Sequence, residues 1–291
     1  MVRNRVYAAL AAGLFGLSLH SHVVAQGVSG KLFATGGVSQ IEGSGGGGLA
    51  PWALITGYGT ENQIGGSAFA TIVNLDDYRL TSTGAAIGLY DRVELSFAQH
   101  RFDTRAIGAA LGLGAGYTFK QDIFGVKVKL VGDAIYDQDR WLPQIAVGLQ
   151  HKKSANGSVL AALGIPHDSG TDVYLTATKL FIDQRVLLNA GVRFTKANQI
   201  GILGFGGPLN DKIKPEFEGS VAFLIRRNLA VGVEGRTKRD NLGFKEGAAY
   251  DAFVAWFPTK NASLTLAYVD LGRIVVPGKQ RGLYASLQLS F

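Results

Sequence analysis

The feature that most constrains the fold of this chain is an alternation of apolar and polar residues with a period of two. In the last segment, Leu283, Leu287 and Phe291 share one face, and Ser286 and Gln288 share the other. A step of two residues places successive side chains on opposite faces of a β-sheet, whereas a helix repeats every three or four residues. The same alternation recurs in four further segments, 126–130, 186–195, 216–225 and 229–236. The pattern predicts an all-β protein with antiparallel strands.

Two architectures fit this pattern. In a soluble sandwich the apolar face forms the core, and in an outer-membrane barrel it meets lipid while the polar face lines the lumen. The segments run about 9–11 residues, which is the length of a tilted membrane strand. Aromatic residues lie at segment ends, where the girdles of a membrane barrel are found: Trp52, Tyr58, Tyr90, Phe181, Trp256, Phe257 and Tyr268. We therefore expect an antiparallel transmembrane β-barrel.

The chain ends on an aromatic residue, Phe291, which closes the most regular of the alternating segments. This ending resembles the terminal signal by which the barrel-assembly machinery recognises outer-membrane barrels. We therefore expect Phe291 to act as an assembly signal and that machinery to be a partner.

The spacing of the segments predicts the number of strands. Short turns are expected at 90–92, 182–185, 226–228 and 258–261, and longer connections at 103–122, 154–170, 197–213, 239–248 and 272–279. Counting back from the C-terminus gives thirteen strands beginning near Trp52–Gly59, and another at Lys31–Thr35 would make about fourteen. An even number returns both ends of the chain to the periplasm, so fourteen is the prediction and twelve the alternative.

The first 25 residues have the three parts of a secretory signal peptide. Arg3 and Arg5 precede an apolar stretch, Val6–Leu19, and small residues up to Ala25 provide a cleavage site. The apolar stretch is short for a membrane-spanning helix. We therefore expect a signal peptide at 1–25 and an outer-membrane β-barrel at 26–291, in a cell of Gram-negative type. Residues 26–51 are glycine-rich and are interpreted either as a first strand or as a loop folded inward.

Charged residues on the polar faces are the candidate functional group. A charge facing the middle of a bilayer costs about 2–4 kcal/mol, so these side chains should point into the lumen. The predicted lumen charge network consists of Glu94, Lys127, Lys129, Arg193, Glu216, Glu218, Glu234, Arg236 and Asp251. It could be a salt-bridged network that fills the lumen, or the lining of a channel whose field selects solutes. Both need the same residues, so both stay open.

The long connections are rich in basic residues, which suits the phosphate groups of lipopolysaccharide. These residues are Lys152, Lys153, Lys196, Lys212, Lys214, Lys238, Arg239, Lys245, Arg273, Lys279 and Arg281. A solvated basic rim is the alternative. Nucleic acid is not an expected partner, because the basic residues are dispersed over loops of an exported protein.

Catalytic and metal-binding signatures are poor. The sequence contains no cysteine, which excludes disulfides, thiolate metal sites and a cysteine nucleophile. His100, His151 and His167 do not have the spacing of metal ligands. His151 lies close to Ser154 in sequence, but no acidic residue or oxyanion motif accompanies them. Paired aspartates at 137–139 and 168–172 are interpreted as turn residues. We therefore expect no enzymatic activity, no metal and no cofactor.

Several motifs resemble an uncharacterised proteobacterial family catalogued as domain of unknown function 3034. They are found at 39–43, 136–139 with 141–144, 201–207, 236–238 with 240–244, and 250–258. The resemblance covers roughly residues 30–291 and implies an exported protein of outer-membrane barrel type. It implies no activity, because the family has no established catalytic or binding residues.

Together these observations predict an integral protein of the cell outer membrane. We expect a porin-like passive channel for small hydrophilic solutes. The alternative is a closed structural or surface-interaction barrel that binds lipopolysaccharide or an export partner, and the third hypothesis is an outer-membrane lipid-modifying enzyme.

Overall fold

The computed structural model describes residues 30–32 and 34–291 of the chain. The predicted signal peptide at 1–25 lies outside these residues. Within the described chain, no helix combines the length and the hydropathy needed to cross a membrane.

Antiparallel strands account for most of the described chain. Two strands of two residues come first, β1 (Val38–Ser39) and β2 (Gly45–Gly46), and they pair with each other. The next strands are β3 (Ile64–Leu75), β4 (Arg79–Leu89), β5 (Val93–Asp103), β6 (Thr118–Val131), β7 (Gln144–Ser154) and β8 (Ser169–Phe181). The last are β9 (Val186–Thr195), β10 (Lys214–Arg226), β11 (Leu229–Arg236), β12 (Ala249–Thr259), β13 (Ala262–Ile274) and β14 (Val276–Ser290). Strands β3 to β14 pair in chain order, and β14 pairs with β3 to close the barrel.

The barrel of the described chain has twelve strands, so the alternative count is confirmed and the count of fourteen is wrong. The two surplus strands were assigned to Lys31–Thr35 and Trp52–Gly59. Neither forms a strand of the barrel, and every residue from 35 to 59 is buried. A membrane strand would alternate between buried and exposed residues. Residues 35–59, called the inner segment below, instead lie inside the barrel and contact its wall on several sides.

The barrel strands have the two faces that the alternation predicts. On β10, Phe217 and Phe223 are exposed, while Glu216, Glu218 and Ser220 are buried. The aromatic positions follow the same rule only in part. Tyr90, Trp256 and Tyr268 are exposed, but Trp52, Tyr58 and Phe257 are buried inside, so their assignment to a membrane girdle is wrong. Trp52 and Tyr58 belong to the inner segment, and Phe257 points inward from β12.

The two rims of the barrel differ in the length of their connections. The terminal rim, where β3 begins and β14 ends, has short connections at 90–92, 182–185, 227–228 and 260–261, and a longer one at 132–143. The loop rim has connections at 76–78, 104–117, 155–168, 196–213, 237–248 and 275. Short helices lie in three of these, α1 (Ile107–Ala110), α2 (Gly157–Ala162) and a 3₁₀ turn (Gln199–Gly201). The long connection expected at 272–279 is wrong, because β13 and β14 continue to a turn at Val275.

The inside of the barrel has a charged side and an uncharged side. Among the described residues, the buried charged side chains of the strands lie on β5 to β11, with Asp251 on β12 added to them. The inner faces of β3, β4, β13 and β14 carry uncharged residues, apolar ones such as Val73 and Tyr284 and polar ones such as Thr71 and Ser286. The inner segment therefore meets two different surfaces.

Candidate functional site

The inner segment is attached to the barrel where the chain enters at the terminal rim. The ammonium of Lys31 lies 2.8 Å from Asp91 Oδ1 and donates a hydrogen bond to Ile55 O at 2.7 Å. Asp91 also forms a salt bridge with Lys129 of β6, with 2.5 Å between Asp91 Oδ2 and Lys129 Nζ. Lys31, which precedes the inner segment, therefore connects the end of that segment to the turn that joins β4 to β5.

Deeper in the lumen, Glu42 of the inner segment meets cations from three strands. Its Oε2 atom lies 2.5 Å from Arg236 Nη1 and 3.8 Å from Arg193 Nη2. Its Oε1 atom pairs with Lys152 Nζ. Gln40 of the same segment donates a hydrogen bond to Glu42 Oε2 at 2.6 Å. The carboxylate is fully buried, so its charge is compensated by these neighbours and not by water.

The wall residues around Glu42 are also paired with one another. Arg193 donates two hydrogen bonds to Glu218, at 2.6 and 3.2 Å, and Arg236 Nε lies 3.0 Å from Glu218 Oε1. Lys152 lies 2.6 Å from Asp172 Oδ2, and the Arg193 guanidinium stacks 4.9 Å from the centre of the Tyr174 ring. We call the six charged residues Glu42, Lys152, Asp172, Arg193, Glu218 and Arg236 the central cluster. These six carry three positive and three negative charges, which is the balance that a buried ionic network requires.

The electrostatics of Glu42 follow from this arrangement. Burial alone would raise the pKa of its carboxyl group. The positive charges of Arg236, Lys152 and Arg193 outweigh that effect and hold the pKa of Glu42 well below its ordinary value. Glu42 therefore stays ionised at neutral pH and attracts all three cations.

A second anchoring point lies at Glu94 on β5. Its carboxylate pairs with Lys127 Nζ at 3.0 Å and accepts hydrogen bonds from Ser44 Oγ, Gly45 N and Thr56 N at 2.8, 3.0 and 2.9 Å. Lys127 Nζ in turn donates to carbonyl oxygens of the inner segment. Both charges of this wall pair therefore bind backbone or side-chain groups of the inner segment.

A third anchoring point lies at Glu234 on β11. Its carboxylate accepts hydrogen bonds from Leu49 N at 2.7 Å and from Ser220 Oγ at 2.8 Å. A Cβ atom on Gly47 would lie 1.6 Å from Glu234 Oε1, so the close approach of the backbone here depends on glycine. Asp251 is directly opposite Glu234 across the strand pair.

Eight of the nine residues of the predicted lumen charge network are buried and Lys129 is partly buried, but the nine do not form one cluster. Arg193, Glu218 and Arg236 belong to the central cluster, and Glu94, Lys127 and Glu234 hold other parts of the inner segment. Asp251 lies beside Glu234. The remaining two lie near the rims, where Lys129 pairs with Asp91 and Glu216 pairs with Arg239 at 2.8 Å.

Three members of the central cluster were not identified from the sequence. Lys152 was assigned to the basic rim and Asp172 to a turn, and both assignments are wrong, because the two residues are buried on β7 and β8. Lys152 lies two residues from Gln150 and therefore on the same face of β7, and this spacing could have indicated that Lys152 points inward. Glu42 carried no signal, since its segment does not have the periodicity of a strand.

The serine and histidine weighed for catalysis lie on opposite faces of β7. His151 is exposed and its Nδ1 atom lies 3.0 Å from Thr171 Oγ1, whereas Ser154 is buried. The two side chains therefore cannot form a nucleophile–base pair. In the part of the chain that the structure describes, no group of three histidine or carboxylate side chains could hold a metal ion.

In the described chain the inner segment occupies the lumen. Two cavities beside it measure about 50 Å³ each, one towards the loop rim and one towards the terminal rim. Each is too small for a solute larger than a few water molecules. What the site can do chemically is hold or release a chain segment, because its contacts are reversible ionic contacts and hydrogen bonds.

The barrel is similar to solved structures of outer-membrane porins. The KdgM porin matches with a TM-score of 0.51 and 10% sequence identity, over 77% of this chain and 99% of that chain. The NanC porin matches with a TM-score of 0.51 and 9% identity, over 77% of this chain and 98% of that chain. At this level of identity the likeness is one of fold. No curated protein sequence matches the chain.

A family model matches the sequence over residues 35–288, which include the inner segment and nearly all of the barrel. The match begins at the first residue of the inner segment, so the sequence pattern of the family covers both the segment and the barrel. The chain belongs to the protein family of unknown function DUF3034.

Proposed function

We propose that this protein is a porin-like channel of the outer membrane that is closed at rest by its own inner segment. Small hydrophilic solutes pass through it passively when the segment is displaced. The observation that carries the proposal is the position of residues 35–59, which fill the barrel and are attached by hydrogen bonds and ionic contacts to charged side chains of the wall.

The width of the barrel supports a channel. A barrel of about eight strands is filled by its own side chains, and additional strands widen the interior. The twelve strands of the described chain enclose a lumen that the inner segment occupies. Both ends of this segment lie at the terminal rim, beside Lys31 and at the start of β3. The segment can therefore leave towards one side without being threaded through the barrel.

The composition of the wall supports a hydrophilic solute. When Glu42 leaves, Lys152 keeps Asp172 as a partner and Arg193 keeps Glu218. Lys127 likewise keeps Glu94. These pairs persist in an aqueous lumen, where Arg236 shares Glu218 with Arg193. They offer donors and acceptors along β5 to β11 to a polar solute.

The second candidate is a closed barrel that acts through its surface. The filled lumen favours it, together with exposed basic residues such as Lys212 and Lys245 at the loop rim. In this proposal the rim binds the phosphate groups of lipopolysaccharide. Lipopolysaccharide should then raise the unfolding temperature of the natural protein more than that of a Lys212→Gln/Lys245→Gln variant, and equal shifts would contradict the contact.

Assembly in the outer membrane is proposed to depend on Phe291. Its ring is 67% exposed, and its backbone pairs with Gly66 N and O at 3.0 and 2.9 Å. Deletion of Phe291 should lower the amount of folded barrel in outer-membrane fractions. Phe291→Tyr is the control and should assemble normally. Normal levels after the deletion would contradict the role of this residue as a signal.

Planar-bilayer conductance tests the channel. We would compare the natural protein with a variant in which residues 36–57 are replaced by a short glycine–serine linker, both shown to be folded by heat-modifiable gel migration. The natural protein should be closed with rare openings, and the variant should conduct steadily. If the folded variant gives no discrete conductance steps, the channel is refuted and the closed barrel is favoured.

A further inference from the structure

Every connection at the loop rim of the described chain contributes an apolar side chain to one pocket at the mouth of the barrel. One residue from each connection illustrates this: Tyr78, Leu113, Ile165, Leu203, Leu242 and Val275. The pocket has a volume of about 370 Å³. Long loops on this rim face water, where they would normally present polar side chains. Apolar groups that converge there from six connections mark a binding surface.

The lining of this pocket is uncharged. Among the described residues around it, none is acidic or basic. The hydroxyl groups that reach it are already used, since Tyr78 Oη donates to Ile274 O at 3.0 Å and Thr104 Oγ1 donates to Tyr117 O at 2.8 Å. A charged ligand would lose its hydration here without a compensating partner. The lining therefore favours a ligand without charge and with few polar groups.

The size and accessibility of the pocket suit a small molecule. Leu163 and Phe244 at its edge are 49% and 38% exposed, so the pocket communicates with the solvent. An apolar cavity of about 150 Å³ holds one benzene ring, and ligand pockets generally begin at about 300 Å³. This pocket has room for about two such rings. On its inner side, Phe102 and Ile274 also line the small cavity that reaches Val73.

We propose that this pocket at the mouth of the barrel binds an uncharged apolar small molecule of about the size of a two-ring aromatic hydrocarbon. This binding goes beyond the channel proposed above and does not require the inner segment to move. The pocket lies among the connections of the loop rim, whereas the proposed solute path follows the charged side chains of β5 to β11. The loop rim therefore has a proposed ligand-binding site that is separate from the proposed solute path.

The test is binding of radiolabelled naphthalene to the full protein in lipid nanodiscs, with partitioning into protein-free nanodiscs subtracted. The variants Leu163→Lys and Phe244→Lys each place an ammonium group at the edge of the pocket. Leu209→Lys is the matched control, because Leu209 is 65% exposed in a connection of the same rim and does not line the pocket. Heat-modifiable migration checks that every variant is folded.

The natural protein and Leu209→Lys should bind naphthalene saturably, and each of the other two variants should bind at least about tenfold more weakly. Naphthalene-2-sulfonate should also bind at least about tenfold more weakly than naphthalene, because its charge would find no partner. Absence of saturable binding would overturn the proposal, as would equal binding of the sulfonate or equal loss in Leu209→Lys. Bound lipid that excludes naphthalene would assign the pocket to an acyl chain and overturn it too. None of these binding measurements depends on conductance, so the channel proposal can be refuted without affecting the binding proposal.

Discussion

At the scale of single residues, Glu42 determines how firmly the inner segment is held. It brings the segment's own negative charge to Lys152, Arg193 and Arg236, whose remaining carboxylate partners are on the wall. Removing one partner of a buried ionic network is costly, because the charges left behind have already lost their hydration. The proposed closed state should therefore depend on this carboxylate more than on any solvent-exposed charge of the described chain.

Glu42→Gln should make openings of the natural-length protein at least about tenfold more frequent, which corresponds to about 1.4 kcal/mol of lost attachment. The glutamine keeps the shape of the side chain and loses its charge. Single-channel recording at neutral pH measures the effect. Glu61→Gln is the control, because Glu61 is exposed just beyond the inner segment. Unchanged opening in Glu42→Gln would show that its ionic contacts do not hold the segment.

A comparison of Glu42→Gln with the natural protein over a range of pH values isolates the effect of protonating Glu42. Because the folded protein holds the pKa of Glu42 well below 4.5, the carboxylate stabilises the closed state above that value and stops doing so as the pH falls through the lowered pKa. The ratio of opening frequencies between Glu42→Gln and the natural protein should stay constant from about pH 7 to about pH 5. It should approach one only in stronger acid. A ratio that collapses near pH 6 would contradict the lowered pKa.

At the scale of elements, the inner segment behaves as a unit with its two ends at the terminal rim. Its side chains and backbone are bonded to β5 at Glu94, to β11 at Glu234 and to β3 at Ser67. No single strand carries the attachment. Opening therefore requires the segment to separate from several strands together, which predicts that one covalent link to the wall will hinder it.

A disulfide between Thr56→Cys and Ser67→Cys should lock the channel in its closed state. The two hydroxyl oxygens are 2.7 Å apart, and the chain has no cysteine that could form another pair. Oxidised protein should open several-fold less often than the natural protein, and a reducing agent should restore the openings. Each single cysteine variant is a control that should not respond to the reducing agent. Equal opening in both redox states would show that this part of the segment does not move.

The strands of the barrel could be predicted from the sequence, whereas the inner segment could not. Each strand lies between lipid and lumen, so every second residue meets the same environment and the alternation appears in the sequence of the strand itself. Residues 52–58 are surrounded by protein, and their side chains contact strands that are distant in the sequence. Trp52, for example, donates its indole N–H to Ser220 at 2.9 Å. Such contacts depend on closure of the barrel, and the apolar residues of this segment were therefore mistaken for a strand.

At the scale of the whole molecule, closure of the barrel creates an interior that no single strand contains. The charged wall of β5 to β12 and the uncharged wall of β13, β14, β3 and β4 become opposite sides of one lumen only when β14 pairs with β3. The pairing of β9, β10 and β11 then brings Arg193, Glu218 and Arg236 together. The alternation within the strands predicted that Arg193, Glu218 and Arg236 point inward, and their meeting in one cluster follows from the topology.

The ion selectivity of the proposed open channel should depend on the charged side chains that line its lumen. In the variant that lacks residues 36–57, Arg193→Gln combined with Arg236→Gln removes two positive charges from the passage. Anions should then be less favoured, and the reversal potential in a salt gradient should shift towards that of a cation-selective pore. Arg227→Gln is the control, because Arg227 is exposed in a turn of the terminal rim. Screening by salt should reduce the shift at high ionic strength. Unchanged selectivity in the double variant would show that ions do not pass along β9 and β11, and the solute path would have to be placed along the uncharged wall.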